Sequence, residues 1–428
     1  MKTQYFRKAI LVYLLVLIQI AFAQNKQGIQ GADNWFNNWT NFKPATTDYK
    51  ESTVILLGII SENLTLYKKN IYLLTDMVYV VNNATLTIEP GTLIRGDIET
   101  CGTLVITKGS KIIANGLETD PIIFASNKST TERKAGDWGG IIILGDAPIN
   151  KFGGYSCLEL VENNKLCGYG GQNEQSNSGI LKYIRIEYAG RKLKSGKELN
   201  GLSLAGVGNK TIIEFIQISF SNDDSFECYG GNVNLNNVIS YKATDDDFDF
   251  SQGVQSHIKN SVAIRYPFIS DKSKSRCLEI DSYENLENTD FSKKMTAVFA
   301  DNISLLNNES NDQGLIKEAI FVKDKSIFSM ENSVVSGFNS VIAIGNEALN
   351  KLKNIETITI KNSLINNCLL FSECNEKTNN IDYDQTNSTY FVNNQLKNIS
   401  TTELFIDNNV KKNPDFRLKQ ISNYVFSK

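Results

Sequence analysis

Residues 221–231 have the sequence SNDDSFECYGG, and residues 243–253 repeat its order as ATDDDFDFSQG. Equivalent positions are 22 residues apart (245 − 223 = 22), as in the pairs Asp223 and Asp245, Phe226 and Phe248, and Gly231 and Gly253. Residues 259–262 then follow the pattern of residues 236–239 after 23 residues (259 − 236 = 23), so a third copy begins near Ile258. Repeats of this length with alternating apolar residues are typical of a solenoid whose coils add short strands to parallel sheets.

The same organisation extends along most of the chain. Residues 86–96 and 104–116 each have the order strand, glycine turn, strand. Residues 122–125 and 141–144 are continuous apolar runs that favour strands buried on both faces. Helical periodicity is weak, which argues against a doubly wound α/β fold. We therefore predict an all-β, single-stranded parallel β-helix over residues 54–370, with capped ends and loop excursions.

The segments outside the predicted coils have distinct compositions. The aromatic residues Trp35, Phe36, Trp39 and Phe42 fall in residues 24–53, which we predict to cap the open edge of the first coil; a carbohydrate-stacking platform is the alternative. Residues 148–178 and 270–294 are predicted to be loops. Residues 371–428 are predicted to form a polar loop and a carboxy-terminal cap.

The amino terminus indicates export. Basic residues precede the apolar run 9–20, and Ala21-Phe22-Ala23 follows it, a pattern typical of a signal peptide cleaved near Ala23. A membrane anchor is the alternative, but the run is shorter than the roughly 20 residues that span a bilayer. We expect a secreted, periplasmic or outer-surface protein without a transmembrane segment after cleavage. A net charge of −3 gives no reason to expect nucleic-acid binding.

Seven cysteines suit an oxidising compartment. The predicted disulfides are Cys157 with Cys167, Cys368 with Cys374 and, less directly from the spacing, Cys228 with Cys277. Cys101 would remain unpaired. With one histidine and no CxxC motif, the sequence argues against a structural zinc site.

The strongest chemical feature is a set of carboxylates in the two matching repeats: Asp223, Asp224, Glu227, Asp245, Asp246, Asp247 and Asp249. Coils stacked about 4.8 Å apart would place like charges where they repel by about 3.5 kcal/mol at an effective dielectric of 20. A bound cation, raised pKa values, nearby Lys or Arg, or splayed side chains would offset this repulsion. Calcium suits such oxygen ligands, and we predict Asp223, Asp245 and Asp247 as its ligands. The alternative is a solvated acidic ridge, because Phe248 and Phe250 flank Asp249 at period two.

Two enzymatic hypotheses use the same carboxylates. Paired carboxylates could hydrolyse a glycosidic bond, or a calcium-bound acidic sugar could lose a proton to Arg185, Arg265 or Arg276 in a polysaccharide lyase. His257, the single histidine, is a further candidate base or metal ligand. None of these patterns fixes a catalytic residue.

Five ordered segments carry a family resemblance: 88–92 (IEPGT), 136–141 (GDWGGI), 181–190 (LKYIRIEYAG), 200–202 (NGL) and 245–249 (DDDFD). Over roughly residues 35–281 the chain resembles a family of secreted right-handed β-helix proteins associated with Bacteroidota. The resemblance implies a right-handed coil and export, and it points to no particular activity. The residues themselves favour a binding module that presents an acidic face to a divalent cation, a polysaccharide or a cell-surface partner, with the lyase or hydrolase and a purely structural surface protein as alternatives.

Overall fold

Short alternating segments, separated by turns rich in glycine, asparagine and aspartate, form the coils of a right-handed parallel β-helix. The computed structural model describes residues 27–271, 275–283, 285–309, 315–345, 357–374 and 391–419. The predicted signal peptide lies outside these residues. No helix among them is long and apolar enough to cross a membrane.

The strands of the first half are β1 Val54–Leu56, β2 Ile59–Ile60, β3 Leu64–Leu66, β4 Ile71–Leu74, β5 Met77–Val80, β6 Thr85–Ile88, β7 Leu93–Gly96, β8 Thr103–Ile106, β9 Lys111–Asn115, β10 Ile122–Ser126, β11 Gly140–Leu144, β12 Ser156–Cys157, β13 Gly168–Tyr169, β14 Gly179–Glu187, β15 Leu202–Val207 and β16 Ile212–Ser219. Those of the second half are β17 Phe226–Gly231, β18 Leu235–Asn236, β19 Ile239–Tyr241, β20 Phe248–Ser251, β21 Gln255–Lys259, β22 Val262–Arg265, β23 Leu278–Ile280, β24 Ala297–Asp301, β25 Ser304–Asn307, β26 Glu318–Val322, β27 Ile327–Glu331, β28 Val334–Ser336, β29 Ser340–Ile344, β30 Ile358–Lys361, β31 Leu364–Asn366, β32 Leu370–Cys374, β33 Phe391–Val392 and β34 Gln395–Lys397. Helix α1 (Thr401–Leu404) and the hairpin of β35 (Phe405–Asp407) and β36 (Asp415–Leu418) follow. Short 3₁₀ turns are Asn34–Phe36, Pro44–Thr46, Phe152–Gly154 and Leu286–Asn288.

Each coil contributes one strand to an 11-stranded parallel sheet, counted over the described residues, which we call the front sheet: β2, β5, β8, β11, β15, β17, β20, β23, β26, β29 and β32. The other strands of the coils form a 21-stranded sheet that turns a corner. Strands β14 and β16 cross this corner at Tyr183 (φ 49°) and Phe215 (φ 53°). Asparagine takes the same left-handed conformation at the corner in later coils, as at Asn260 and Asn302, because its side chain tolerates that backbone.

The backbone register confirms the predicted repeat. Phe226 is paired with Phe248, and Asn236 with Lys259, so the spacings of 22 and 23 residues are single coils of the solenoid. The phenylalanine rings stack inside the core with centroids 5.3 Å apart. The coils continue through β34, beyond the predicted boundary at residue 370. Residues 270–294 also contain strand β23, which the sequence prediction treated as loop.

The amino-terminal aromatic segment does not cap an end of the solenoid, so the predicted position is wrong. Residues 27–50 run along the flank: the Gly28 amide donates to Asn332 at one extreme, and Trp39 packs against Tyr183 and Phe215 farther along. Aromatic side chains at the left-handed corner project outward, and this segment buries them. The segment lies on the flank because it packs on the apolar surface that the coils present there.

The carboxy-terminal hairpin covers the same flank. Phe416 lies 5.2 Å from Phe42 and 6.1 Å from Tyr241, measured between ring centroids. The bridge between Gln30 and Leu418 joins the two terminal segments. Together they close one apolar cluster along the corner.

Residues 148–178 form the predicted excursion, and they cover part of the outer surface of the front sheet. Leu158, Val161 and Tyr169 are buried there with Ile142 and Leu144 of β11. The predicted disulfide joins Cys157 of β12 to Cys167, the residue before β13.

The predicted pairing of Cys228 with Cys277 is wrong, because both are buried free thiols. Cys228 is in register with Phe250, whereas Cys277 precedes Leu278, the partner of Phe248. Cys101 and Cys368 are also free. The side chain of Cys374 lies outside the described residues.

Candidate functional site

The front sheet places three carboxylates in one column. Glu227 of β17 pairs in register with Asp249 of β20, and Asp249 pairs with Glu279 of β23. Their neighbours Phe226 and Phe248 point into the core, so period-two alternation turns all three carboxylates outward. This carboxylate column contains Glu279, which the sequence prediction placed in a loop. Its strand is 30 residues beyond β20 (278 − 248 = 30), so the 22-residue spacing could not locate it.

The turns before β17 and β20 add further carboxylates. Asp224 and Asp246 are buried, at 6% and 4% exposure. Asp224 accepts a hydrogen bond from the amide of Asp246 at 2.9 Å, and Asp246 accepts one from the amide of Arg276. These two side chains thus bind each coil to the next, in addition to any role in ligand binding.

The side chain of Asp247 forms a buried ion pair instead. It is fully buried and lies 3.0 Å from Nη1 of Arg265, also fully buried, and it accepts a hydrogen bond from Ser240. Burial of an ion pair without exposure to water commits both partners to each other. Asp247 belongs to neither group of carboxylates that the structure brings together, although we predicted it as a metal ligand.

Two groups of three carboxylates do come together within the described residues. Asp223, Asp224 and Asp245 form one group, and Asp224, Glu227 and Asp249 form the other. Within each group, one oxygen from each residue lies within 4.8 Å of the others. Asp224 belongs to both groups, so five of the seven predicted carboxylates form one continuous acidic site, and Asp246 and Asp247 belong to neither group. Clustered carboxylate oxygens of this kind suit a hard cation such as calcium.

Burial and mutual repulsion hold protons on this site. Burial, with Asp245 as the next contributor, raises the pKa of Asp223 to about 8. Burial also raises the pKa values of Asp224 and Asp249 well above their usual range, and the largest charge contributions come from Asp223 and Glu227 respectively. Raised pKa values were one of the ways predicted to offset the repulsion between stacked carboxylates.

The other end of the carboxylate column is neutralised by cations. Glu279 forms ion pairs with Arg276 and Lys323, and Lys323 also lies 3.3 Å from Asp281. Burial alone would raise the pKa of Glu279, but the two cations outweigh it and lower that pKa. The opposite end of the column, where Glu227 and Asp249 lie with Asp224, is therefore the end available to an added cation.

Two residues that the sequence analysis missed orient Glu227. Asn200 and Tyr229 both donate hydrogen bonds to its Oε2 atom. Buried oxygens nearby, namely Asn200 Oδ1, Asp249 Oδ1 and Ser251 Oγ, have no hydrogen-bond partner among the described residues. Buried polar atoms normally have hydrogen-bond partners, so these unpartnered oxygens suit a ligand that binds oxygen atoms. The NGL segment of the family resemblance contains Asn200, but only the coil register shows that it faces Glu227.

Two of the candidate bases, Arg276 and Arg265, are held in buried ion pairs. Arg276 lies between Glu279 and Glu318, with its guanidinium 4.4 Å from the centre of the Phe321 ring. Although burial opposes it, the surrounding carboxylates raise the pKa of Arg276. Arg265 is fully buried with Asp247.

The other two candidates lie outside the front sheet. Arg185 is in β14, 3.5 Å from Glu187. His257 is in β21, where its ring stacks on Phe299 at 5.0 Å. Burial, followed by Lys259, lowers the pKa of His257. Neither residue belongs to the acidic site.

Comparison with protein families matches the chain to a β-helix family. The model of the pectate-lyase-like β-helix domain matches residues 58–409, more than half of the sequence. No curated protein and no solved structure matches it. The matched range includes the whole carboxylate column and the strands that carry it. The chain belongs to the pectate-lyase-like β-helix domain family.

Proposed function

We propose that this chain is a secreted polysaccharide-binding β-helix whose acidic site binds a divalent cation, with calcium as the first choice, between Asp224, Glu227 and Asp249. One observation carries the proposal: these side chains bring oxygens within 4.8 Å of one another. A divalent cation would stabilise their charged forms and displace the protons that burial favours. Binding would therefore release protons near neutral pH.

The surroundings of the three carboxylates support this proposal. Hydrogen bonds from Asn200 and Tyr229 fix the orientation of Glu227. The orphaned Oδ1 of Asp249 is a further oxygen at the same position. Calcium takes six to eight oxygen ligands, and water or a glycan could supply those that the protein does not.

The half-buried Asp223 and Asp245 connect the site to the surface. A polysaccharide that carries carboxylates or hydroxyls could complete the coordination of the cation from this side. The family description agrees with a polysaccharide-related role, and export through the predicted signal peptide would bring the site into contact with such a ligand.

We favour binding over β-elimination because of the state of the candidate bases. A lyase needs a base that is unprotonated, so that it can take a proton from the sugar. Carboxylates surround Arg276 and raise its pKa, and Arg265 is sealed in a buried ion pair. Both stay protonated at physiological pH.

Calorimetric titration with calcium at pH 8 tests the proposal. We expect saturable binding by the native chain and at least about tenfold weaker binding, ~1.4 kcal/mol, by a Glu227→Gln/Asp249→Asn variant. The control is Glu62→Gln/Glu99→Gln, which removes the same charge from two exposed positions and should bind as the native chain does. Equal affinity in all three proteins, or no saturable binding by the native chain, would contradict the proposal.

A further inference from the structure

A cleft lies away from the acidic site, where the excursion of residues 148–178 meets the loop that follows β23. Its volume is about 410 Å³, and its lining includes Lys108, Ile149, Tyr155, Gln172 and Lys293. Pockets that bind small molecules typically have volumes of roughly 300–1,000 Å³. The cleft is thus large enough for one or two sugar units of a longer chain.

The cleft is positively charged in a chain whose net charge is −3. Lys108 and Lys293 are exposed in its lining, and neither forms an ion pair within the described part of the chain. The carboxylate of Glu174 is 3.2 Å from Lys294, which offsets its charge. The lining therefore has two ammonium groups against one carboxylate, that of Glu174, and this excess of positive charge favours an anionic ligand.

An aromatic ring stands beside one of these lysines. Tyr155 is 54% exposed, and the ammonium of Lys108 lies 4.9 Å from the centre of its ring. The disulfide between Cys157 and Cys167 holds the hairpin that begins next to Tyr155. An exposed ring next to an ammonium group suits a ligand that has both an apolar face and a negative charge.

Glycines form part of the lining of the cleft. Gly153, Gly154 and Gly170 all have positive φ angles, of 75°, 67° and 90°. A Cβ atom placed on Gly153 would meet no atom within 4 Å. A flat ligand can therefore approach the main chain at Gly153.

We propose that this cleft binds an anionic saccharide, with Lys108 and Lys293 on its carboxylate or sulfate groups and Tyr155 against a sugar ring. The cleft uses none of the carboxylates of the acidic site and needs no cation. This binding is therefore independent of the function proposed above, and either one can fail without the other.

The test is a titration of the chain with three hexasaccharides in EDTA: an oligogalacturonate, a sulfated oligosaccharide and neutral maltohexaose. We expect binding of at least one anionic sugar, weakened by at least about fivefold in Lys108→Ala, Lys293→Ala and Tyr155→Ala, because each removes one contact. Which anion binds identifies the charged group. Lys194→Ala, which removes an exposed lysine outside the cleft, should bind as the native chain does.

Three results would overturn the inference. The first is that neither anionic sugar binds in EDTA. Binding that appears only when calcium is added counts as this result, and it would assign the sugar to the acidic site. The second is native-like binding by the Lys108, Lys293 and Tyr155 variants. The third is equal binding of maltohexaose. Calcium titration of Lys108→Ala should match the native chain, so the two proposals are judged separately.

Discussion

Individual carboxylates of the front sheet differ in charge because their surroundings differ. Burial raises the pKa of Asp223 to about 8 and that of Asp281 to about 6. Glu279 has the opposite shift, since Arg276 and Lys323 outweigh its burial and lower its pKa. Carboxyl groups around the front sheet can therefore retain or release their protons according to which coil they occupy.

The stability of the cation-free protein should fall as pH rises. A carboxyl group with a raised folded-state pKa holds its proton more tightly when folded, so its contribution is full below the unfolded pKa and is lost as pH passes the folded pKa. For Asp223 this window runs from about pH 4 to about pH 8. We expect the free energy of unfolding to decrease from pH 5 to pH 9 in EDTA, by up to about 1.4 kcal/mol per pH unit for each such group.

Urea denaturation at several pH values measures this effect. Asp223→Asn, which keeps the shape of the side chain and cannot titrate, should have a shallower pH dependence. Added calcium should also reduce the decline, because it stabilises the charged carboxylates. A native stability that is flat or rises between pH 5 and pH 9 would be inconsistent with the raised pKa values.

Alternation along a strand predicts the direction of some side chains well and that of others poorly. It correctly turned Phe248 and Phe250 inward and Asp249 outward. Asp247 could not be assigned, because it precedes the strand and its partner Arg265 comes from β22. Contacts between coils depend on the register, which a single repeat does not reveal.

At the scale of elements, the flank segment of residues 27–50 is a structural part of the solenoid. Trp39 within it is fully buried against Tyr183 and Phe215. Trp39→Ala should destabilise the protein by about 3–5 kcal/mol, the usual cost of truncating a large buried aromatic side chain. Chemical denaturation provides the measurement.

Leu57→Ala is the matched control for this truncation. Leu57 is 65% exposed, so its loss should change stability by no more than about 0.5 kcal/mol. If Trp39→Ala were as mild as Leu57→Ala, the flank segment would not be part of the folded core.

The elements also show where sequence patterns lose information. Aromatic residues in the flank segment predict burial, but the surface that buries them appears only when Tyr183 and Phe215 turn outward at the corner. Strand β23 escaped prediction because a long loop separates it from β22. Strands in regularly spaced repeats could be predicted from the sequence, whereas a strand that follows a long loop could not.

The whole molecule places its two candidate sites at different parts of the front sheet. The acidic site lies around the starts of β17 and β20, whereas the basic cleft lies near residues that follow β8 and β11. The β-helix itself was predictable from the repeat, since every coil adds the same pattern. The basic cleft was not, because its lysines and its tyrosine come from separate loops.

Our central claim is that the acidic site binds a divalent cation, and diffraction from crystals grown with calcium at pH 8 tests it most directly. We predict an ion between Asp224, Glu227 and Asp249, at about 2.3–2.6 Å from their oxygens, and its removal by EDTA. Crystals in which calcium is absent from this position, with the three carboxylates unmoved, would contradict the claim.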